Sequence, residues 1–383
     1  MTIGVSYTIE VISTTGDVED FITDVTTLTA ARSFGNVGNA VFSFPAGDSI
    51  PSWKRNHRFR FFRNHPSGIS VPLGGTVWFL KKKKYIENSN EIHITCTDSL
   101  GLLDQRLVAY ASETLKADKT LFSRDQIVYD DTYLAGNMMN DFVEENFGAT
   151  ATDTDRDISD WLAVEADKNV GAHVEKAASF QKVLSTLVEI SRQSKENGQD
   201  IAFDLVAVAD GTFLFRVFED TFGSDRSSTS ENPLILAPEY GNINNVELEF
   251  DYSTEVNVVY VGGVLSGAKK LIVTVTDAEL LRSDPFSRSE LYYEAGENGD
   301  DSHTEWMTKI GEQQIAGARA KANLMASIVE TPVDIFGRDF GYGFKVTTRV
   351  KNFQFDCIIN AFNVAFNAGV ENLDVRLQST ETL

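Results

Sequence analysis

Apolar and polar positions alternate with a period of two at both ends of this chain, and a helical period of about 3.6 takes over in the middle. Ile3, Val5, Tyr7, Ile9 and Val11 alternate strictly with polar neighbours, so the chain opens on a strand, and Gly16-Asp17 marks its turn. Leu28 to Phe44 holds two more strands, broken by the loop signal Gly35-Asn36-Val37-Gly38-Asn39. The apolar Val77-Trp78-Phe79-Leu80 precedes a further strand, Glu91 to Thr97, in which Ile92, Ile94 and Cys96 alternate with His93, Thr95 and Thr97. That strand runs into a turn for which Asp98 or Ser99 offers a capping oxygen. There Leu102, Leu103 and Leu107 pack, and Asp104 is placed to pair with Arg106.

Ala135, Met138, Met139, Phe142, Val143 and Asn146 follow the helical spacing, with Asp130 and Asp131 at the favourable N-terminal end and Gly148 as the stop. Phe180, Val183, Leu184, Leu187, Val188 and Ser191 repeat it, with Ser179 as cap and Asn197-Gly198 as stop. Strands return at Ile201 to Val208 and Thr212 to Phe218, joined by the hairpin signal Asp210-Gly211. Val246 to Phe250 and Val256 to Val261 continue that sheet, and Leu271 to Thr276 is another strand. After an acidic loop at 294–305, Ile315, Ala318, Ala322, Met325 and Val329 predict one helix over 306–330, closed by Pro332. The end of the chain is β again: Phe344 to Val350, Phe353 to Ile359, Phe362 to Phe366 with a turn at Asn367-Ala368-Gly369, and a last strand through Val375 and Leu377.

Composition narrows the function classes. With 42% hydrophobic and 23% charged residues the chain is of ordinary globular make-up, and 383 residues leave room for two or three domains. Its 56 acids against 34 bases give a net charge of −22, which repels nucleic acid and anionic membranes. The two cysteines, Cys96 and Cys357, each sit in a β-alternating run and read as buried thiols of a chain made in a reducing cytoplasm. Met1 to Glu10 alternates instead of forming a signal-like apolar block, and no apolar run approaches the ~20 residues of a membrane helix. The expected product is soluble before assembly, with no membrane insertion.

One stretch reverses the charge. From Pro51 to Ile86 there is no acid, but there are Lys54, Arg55, Arg58, Arg60, Arg63 and Lys81, Lys82, Lys83 and Lys84. Arg58 and Arg60 alternate with Phe59 and Phe61, as on a strand with one basic and one aromatic face. Such interleaving suits nucleic acid, a plain solvated face, or a patch that docks on the acidic surface of a neighbouring copy. The surplus of acid elsewhere favours the last.

Catalytic and metal motifs fail on their details. Asp153, Asp155 and Asp157 have the spacing that opens a calcium loop, but Ile158 replaces the required glycine and Val164 the bidentate Glu. His57, His65, His93, His173 and His303 form no zinc motif, and neither Gly262-Gly263 nor Gly341-Tyr342-Gly343 leads into a phosphate loop. No Gly-x-Ser-x-Gly elbow occurs. No enzyme and no cofactor are expected.

A set of short segments resembles a known family. Val77-Trp78-Phe79-Leu80, then Thr95 to Tyr110 with its leucine-rich turn, Arg and Tyr, resembles the N-terminal domain of the tail-hub proteins of long-tailed bacteriophages. Arg156-Asp157-Ile158-Ser159 is similar to their Arg-Asp-Leu-Ser step. Phe215-Arg216-Val217-Phe218 through Gly223-Ser224-Asp225-Arg226-Ser227 resembles their F-R…G-x-D-R-S segment. Gly241-Asn242-Ile243 with Asn257-Val258-Val259-Tyr260-Val261-Gly262-Gly263, and then Arg288-Ser289-Glu290, continue the likeness in order.

The resemblance implies an α+β, mainly β chain: two tail-tube-like β-barrel domains, a mostly helical insertion, and a helix packed on the second barrel. The expected division is an N-terminal barrel at 1–110, a helical clamp at 111–198, and a second barrel with peripheral β elements and helix 306–330 at 199–383. The implied role is structural, in the virion at the tail tip: a homotrimeric baseplate hub whose pseudo-sixfold face meets the sixfold tail tube. A tail tube or distal tail protein is expected on one face and a fibre, spike or other tip protein on the other. DNA is expected only as transient cargo of the bore, and the tape-measure protein is a further candidate to pass through it. Glu247, Glu249 and Asp251 are candidates for an acidic wall along which DNA slides without sticking. The rival reading is a β-rich carbohydrate-binding module or glycosidase at the cell surface. Against it, Trp53, Trp78, Trp161 and Trp306 are scattered along the chain.

Overall fold

The computed structural model describes residues 2–109, 127–129, 133–151, 153–178, 180–208, 211–219, 221–265, 269–283, 286–295 and 303–379. Tyr110, Asp130, Asp131, Ser179, Asp210 and residues 296–302 of the acidic loop lie outside the described residues.

The alternating N-terminal segment folds as its pattern dictates. Its main strands are β1 (Ser6–Ile12), β2 (Val18–Ile22), β3 (Thr27–Ser33), β4 (Asn39–Pro45), β5 (Arg58–Asn64), β6 (Trp78–Ile86) and β7 (Glu91–Thr97). Every second side chain points into one core: Tyr7, Ile9 and Val11; Leu28 and Ala30; Phe42; Phe59 and Phe61; Ile92, Ile94 and Cys96. The turn after β7 is the short helix α1 (Leu100–Asp104), but neither expected local bond forms there. Ser99 makes no capping bond and donates instead to the Leu205 carbonyl, while Asp98 binds Arg32. Asp104 pairs with Lys182 at 2.8 Å, and Arg106 donates to the carbonyls of Asn146 and Arg156. Long-range partners win over the neighbour in sequence because the turn is buried between two units.

The second unit contains α2 (Ala135–Phe147), β8 (Leu162–Val164), α3 (Val183–Glu196), β9 (Ile201–Ala207) and β10 (Phe213–Glu219). Gly148 ends α2, its N–H bonding back to Glu144. α3 begins at Val183, later than the pattern predicts, because Phe180 takes a left-handed conformation (φ 54°) and points half-exposed to solvent. The hairpin β9–β10 continues into neither the strand at 243–251 nor the one at 258–265, which belong to two other sheets. β8 pairs parallel to β10, and Phe203, Leu205 and Phe215 pack with Phe142 and Leu187 in one core. The end expected for the helical unit, at 198, thus lies inside a core that runs on through the hairpin.

The third stretch contains β11 (Ile243–Asp251), β12 (Val258–Leu265), β13 (Lys269–Thr276), β14 (Glu290–Glu294), α4 (His303–Gly317), β15 (Lys321–Ile328), β16 (Lys345–Val350), β17 (Phe353–Asn367) and β18 (Val370–Ser379). β13, β12 and β14 form a separate three-stranded sheet, with α4 laid on it through Val259, Val261, Met307 and Ile315. The helix predicted over 306–330 therefore ends at Gly317, and its second half is a strand. Ala322, Leu324, Ala326 and Ile328 are buried while Met325 is exposed, a period of two that overrides the i, i+3, i+4 reading of the same apolar residues. Leu324→Ala is accordingly expected to cost about 2–5 kcal/mol, and Met325→Ala about 0.5 kcal/mol or less. Urea unfolding of the two variants separates strand from helix, since a helical face through Ala322, Met325 and Val329 would bury Met325 and make its replacement the costly one.

The two β-rich ends of the chain join. Among the described residues one 16-stranded sheet runs in the order β11-β15-β18-β17-β3-β4-β7-β6-β5-β1-β2, with further short strands at its margins. The junction is β17 against β3, from Ala361↔Ser33 to Asn367↔Thr27. Both halves feed one core, in which Tyr7 meets Phe366 edge-on at 5.1 Å between ring centroids. The fold is α+β and mainly β, with the two β-rich ends of the chain joined in this one sheet.

Candidate interface surfaces

Strand parity gives the large sheet a second, open face. Cross-strand neighbours on it run Asn372, Ala365, Thr29, Val41, Thr95, Lys82 in one row, and Asn367, Thr27, Ser43, His93, Lys84 in the next. Their inward neighbours Val364, Phe366, Leu28, Phe42 and Ile94 are buried. The middle of this face, over β17, β3 and β4, is therefore small, polar and uncharged. Beside it on β18 stand Asp374 and Arg376, paired with each other at 3.3 Å, and further charge appears on β11 and on β6.

Beyond β7 stands the basic stretch, which the structure sorts by parity. A register shift between Leu80 and Lys82 turns β6 away from β5, which reaches it only at Phe79 and Trp78. From Lys81 onward no described strand pairs with the outer edge of β6. Lys82 and Lys84 are exposed on the open face, with Lys54, Arg55 and Lys81 exposed nearby, and among the described residues none of the five has a carboxylate partner. Desolvation, and after it the charge of Arg55, lowers the pKa of Lys81. Lys83 points the other way and donates to the carbonyls of Pro51 and Trp53. Arg60 pairs with Glu10 at 2.8 Å.

Two members of the stretch meet no outside partner. Arg58, 4% exposed, donates to the carbonyls of Gly211, Ser13 and Thr14, and lies over the Trp161 ring at 5.4 Å. It sits under the hairpin of the second unit. Arg63 is 0% exposed because it shares the parity of Phe59 and Phe61 and so points into the core.

At one end of the face, β11 pairs only with β15, and its outer edge is free of described strands. Glu247 and Glu249 are exposed there, opposite Met325 and Asn323, while Leu248 packs inward. Asp251 acts locally, its carboxylate accepting from the Ser253 N–H and hydroxyl at 2.9 and 2.6 Å.

Two buried ion clusters stitch the molecule together, and neither was visible in the sequence. Arg63 Nε donates to Glu371 at 2.8 Å, its two Nη atoms clasp Glu330 at 2.7 Å each, and the Tyr7 hydroxyl donates to Glu371. Burial would lower the Arg63 pKa, but Glu371 and Glu330 outweigh it and hold the guanidinium above its ordinary value. Arg32 links the sheet to the second unit: Nε donates to Asp98 at 2.9 Å, Nη2 to Asp204 at 2.5 Å and Nη1 to the Gly74 carbonyl at 3.0 Å. Tyr342 covers the guanidinium at 4.7 Å. Asp98 is fully buried, and that burial outweighs Arg32 and raises its pKa above the usual carboxylate value.

The remaining candidates stay local. Asp153 caps a short turn by accepting from the Asp155 N–H at 3.0 Å, and Asp157 accepts from Ser159 at 2.8 Å. Among the described residues no group of three or more His, Cys, Asp or Glu is disposed to hold a metal, and no helix is long and apolar enough to cross a membrane. Cys96 and Cys357 are buried and stand as thiols, outside any disulfide. Trp53 and Trp78 are core residues, so they cannot join Trp161 and Trp306 in a sugar platform.

The sequence matches the family model described as Siphovirus ReqiPepy6 Gp37-like protein over residues 9–377. No match is found among curated proteins. Among solved structures, the chain is similar to the 43 kDa tail protein of prophage MuSo2 from Shewanella oneidensis, at 12% identity over 98% of each chain with a TM-score of 0.55. The tail protein from Neisseria meningitidis MC58 matches at 10% identity over 98% of this chain and 97% of the other, with a TM-score of 0.52. Prophage tail protein gp18 from Listeria monocytogenes EGD-e matches at 10% identity over 97% and 94%, with a TM-score of 0.50. At such identities the likeness is one of fold.

Proposed function

The chain belongs to the Siphovirus ReqiPepy6 Gp37-like family, and we propose from that premise that it is a non-catalytic structural protein of the virion, the hub ring of a phage tail tip. Three copies close the ring, and the two halves of each sheet supply six similar faces to a sixfold tube. The tail tube or a distal tail protein meets one side, a fibre, spike or other tip protein meets the other, and the tape-measure protein and DNA pass through the bore. The second unit and the inserted three-stranded sheet lie outside as clamps.

The observation that carries this reading is the open sheet face. A wall of Asn, Thr, Ala and Val over β17, β3 and β4 offers passing DNA no cation to pair with its phosphates, so the polymer slides without counterion exchange at each step. Glu247 and Glu249 stand on this same face, at its margin, where carboxylate charge left over from subunit contacts repels the polymer. Asp251, tied to Ser253, contributes less. A map of the assembled tail tests the reading: a threefold ring at the tip with β17, β3 and β4 towards the bore is expected. A position off the tail axis, or a bore lined by cations, overturns it.

A further inference from the structure

The same sheet that offers a bore wall has two free edges of opposite charge. On β11, Glu247 and Glu249 are exposed two residues apart; on β6, Lys82 and Lys84 are exposed two residues apart. Residues i and i+2 of a strand are about 6.7 Å apart on one face, so the two pairs share one repeat. All four side chains project from the same face of the same sheet, Glu247 and Glu249 on its terminal strand β11 and Lys82 and Lys84 on the part of β6 that β5 leaves uncovered, and among the described residues none has an ion-pair partner within the chain. Six strands stand between the acidic edge and the basic one, and the two do not pair within one copy. They can do so between copies, head to tail, and head-to-tail contacts close rings.

We infer that the ring is sealed by a charged seam, in which the β6 edge of one copy, through Lys82 and Lys84, meets the β11 edge of the next, through Glu247 and Glu249. This rests on the ring reading and names which surfaces meet in it. Lys54, Arg55 and Lys81 crowd beside the basic edge and bring the acidic edge in from a distance before contact. The neutral centre of the face stays out of the joint. The bland account of the same lysines is that they guard a free strand edge against unwanted pairing, and it makes a different forecast, since glutamates guard an edge equally well.

The test is a charge swap in the full chain, made in the phage and read as tails assembled per cell. Lys82→Glu with Lys84→Glu is expected to lower the yield of complete tails about tenfold or more, as attraction turns to repulsion at every joint of the ring. Glu247→Lys with Glu249→Lys is expected to do the same, and the two pairs of changes together to restore assembly. The swap needs no knowledge of strand register. Circular dichroism of each purified variant separates misfolding from failed assembly, because all four residues are exposed. Normal tails from either single reversal, or failure of the combined variant to recover while each chain folds, overturns the seam. Imaging of wild-type tails keeps the two ideas apart: a ring whose copies meet elsewhere removes the seam alone, and the absence of a ring removes the reading beneath it.

Discussion

Replacing Arg63 by alanine is expected to cost the folded chain about 3–5 kcal/mol in urea unfolding, the penalty of leaving buried charges without their partner. Glu371 is completely buried and Glu330 nearly so, and both lean on the one guanidinium, as does the Tyr7–Glu371 bond at one remove. These residues come from β1, β5, β18 and the segment after β15, so the cluster clamps the first strands of the chain to the last ones. The comparison that isolates the cause is Arg63→Met with Glu371→Met and Glu330→Gln, which also keeps an acceptor for the Phe336 N–H. Removing all three charges and keeping the volume should recover much of the loss, since well-packed uncharged residues often replace a buried ion cluster at little cost. If the single variant unfolds at the same urea midpoint as wild type, the cluster is worth far less than its burial implies.

What the sequence made legible was local, and what it hid was the partner. Period-two runs such as Ile92, Ile94 and Cys96 announced strands and their inward faces, because one side of each strand is in water and one in the core. The same rule, carried two residues further along β5, would have placed Arg63 inside; reading Arg58, Arg60 and Arg63 as one basic group ignored that Arg63 has the parity of the phenylalanines. Residues 315–329 fit helical and strand templates equally well in apolar content, and only pairing with β11 and β18 decides for the strand beyond Lys321. Charge clusters with distant members left no signal at all. Arg32 lies 66 residues from Asp98 and 172 from Asp204, and nothing local marks any of the three as buried. The charged strands of the open face were visible as composition, but not as edges.

The strongest coupling between units should fail when Arg32 goes. Arg32→Ala leaves Asp98 and Asp204 facing each other across the joint between the sheet and the second unit, with, among the described residues, no other cation paired to either. A loss of about 3–5 kcal/mol is expected, and it should fall unevenly. Amide exchange in α2 and α3 should rise towards that of a locally opened unit, while β3, β4 and β7 keep more of their protection through the large core. The pH dependence has a fixed sign. Asp98 already holds its proton more tightly folded than unfolded, and it will do so more strongly without Arg32. A carboxyl with a raised folded pKa contributes stability that is present below its unfolded value of about 3.9 and is lost as pH climbs through the folded one. The deficit of Arg32→Ala should therefore be smallest near pH 4 and widen towards neutrality. A deficit that shrinks as pH rises, or exchange that increases equally in both units, would show that Arg32 does not hold them together through Asp98 and Asp204.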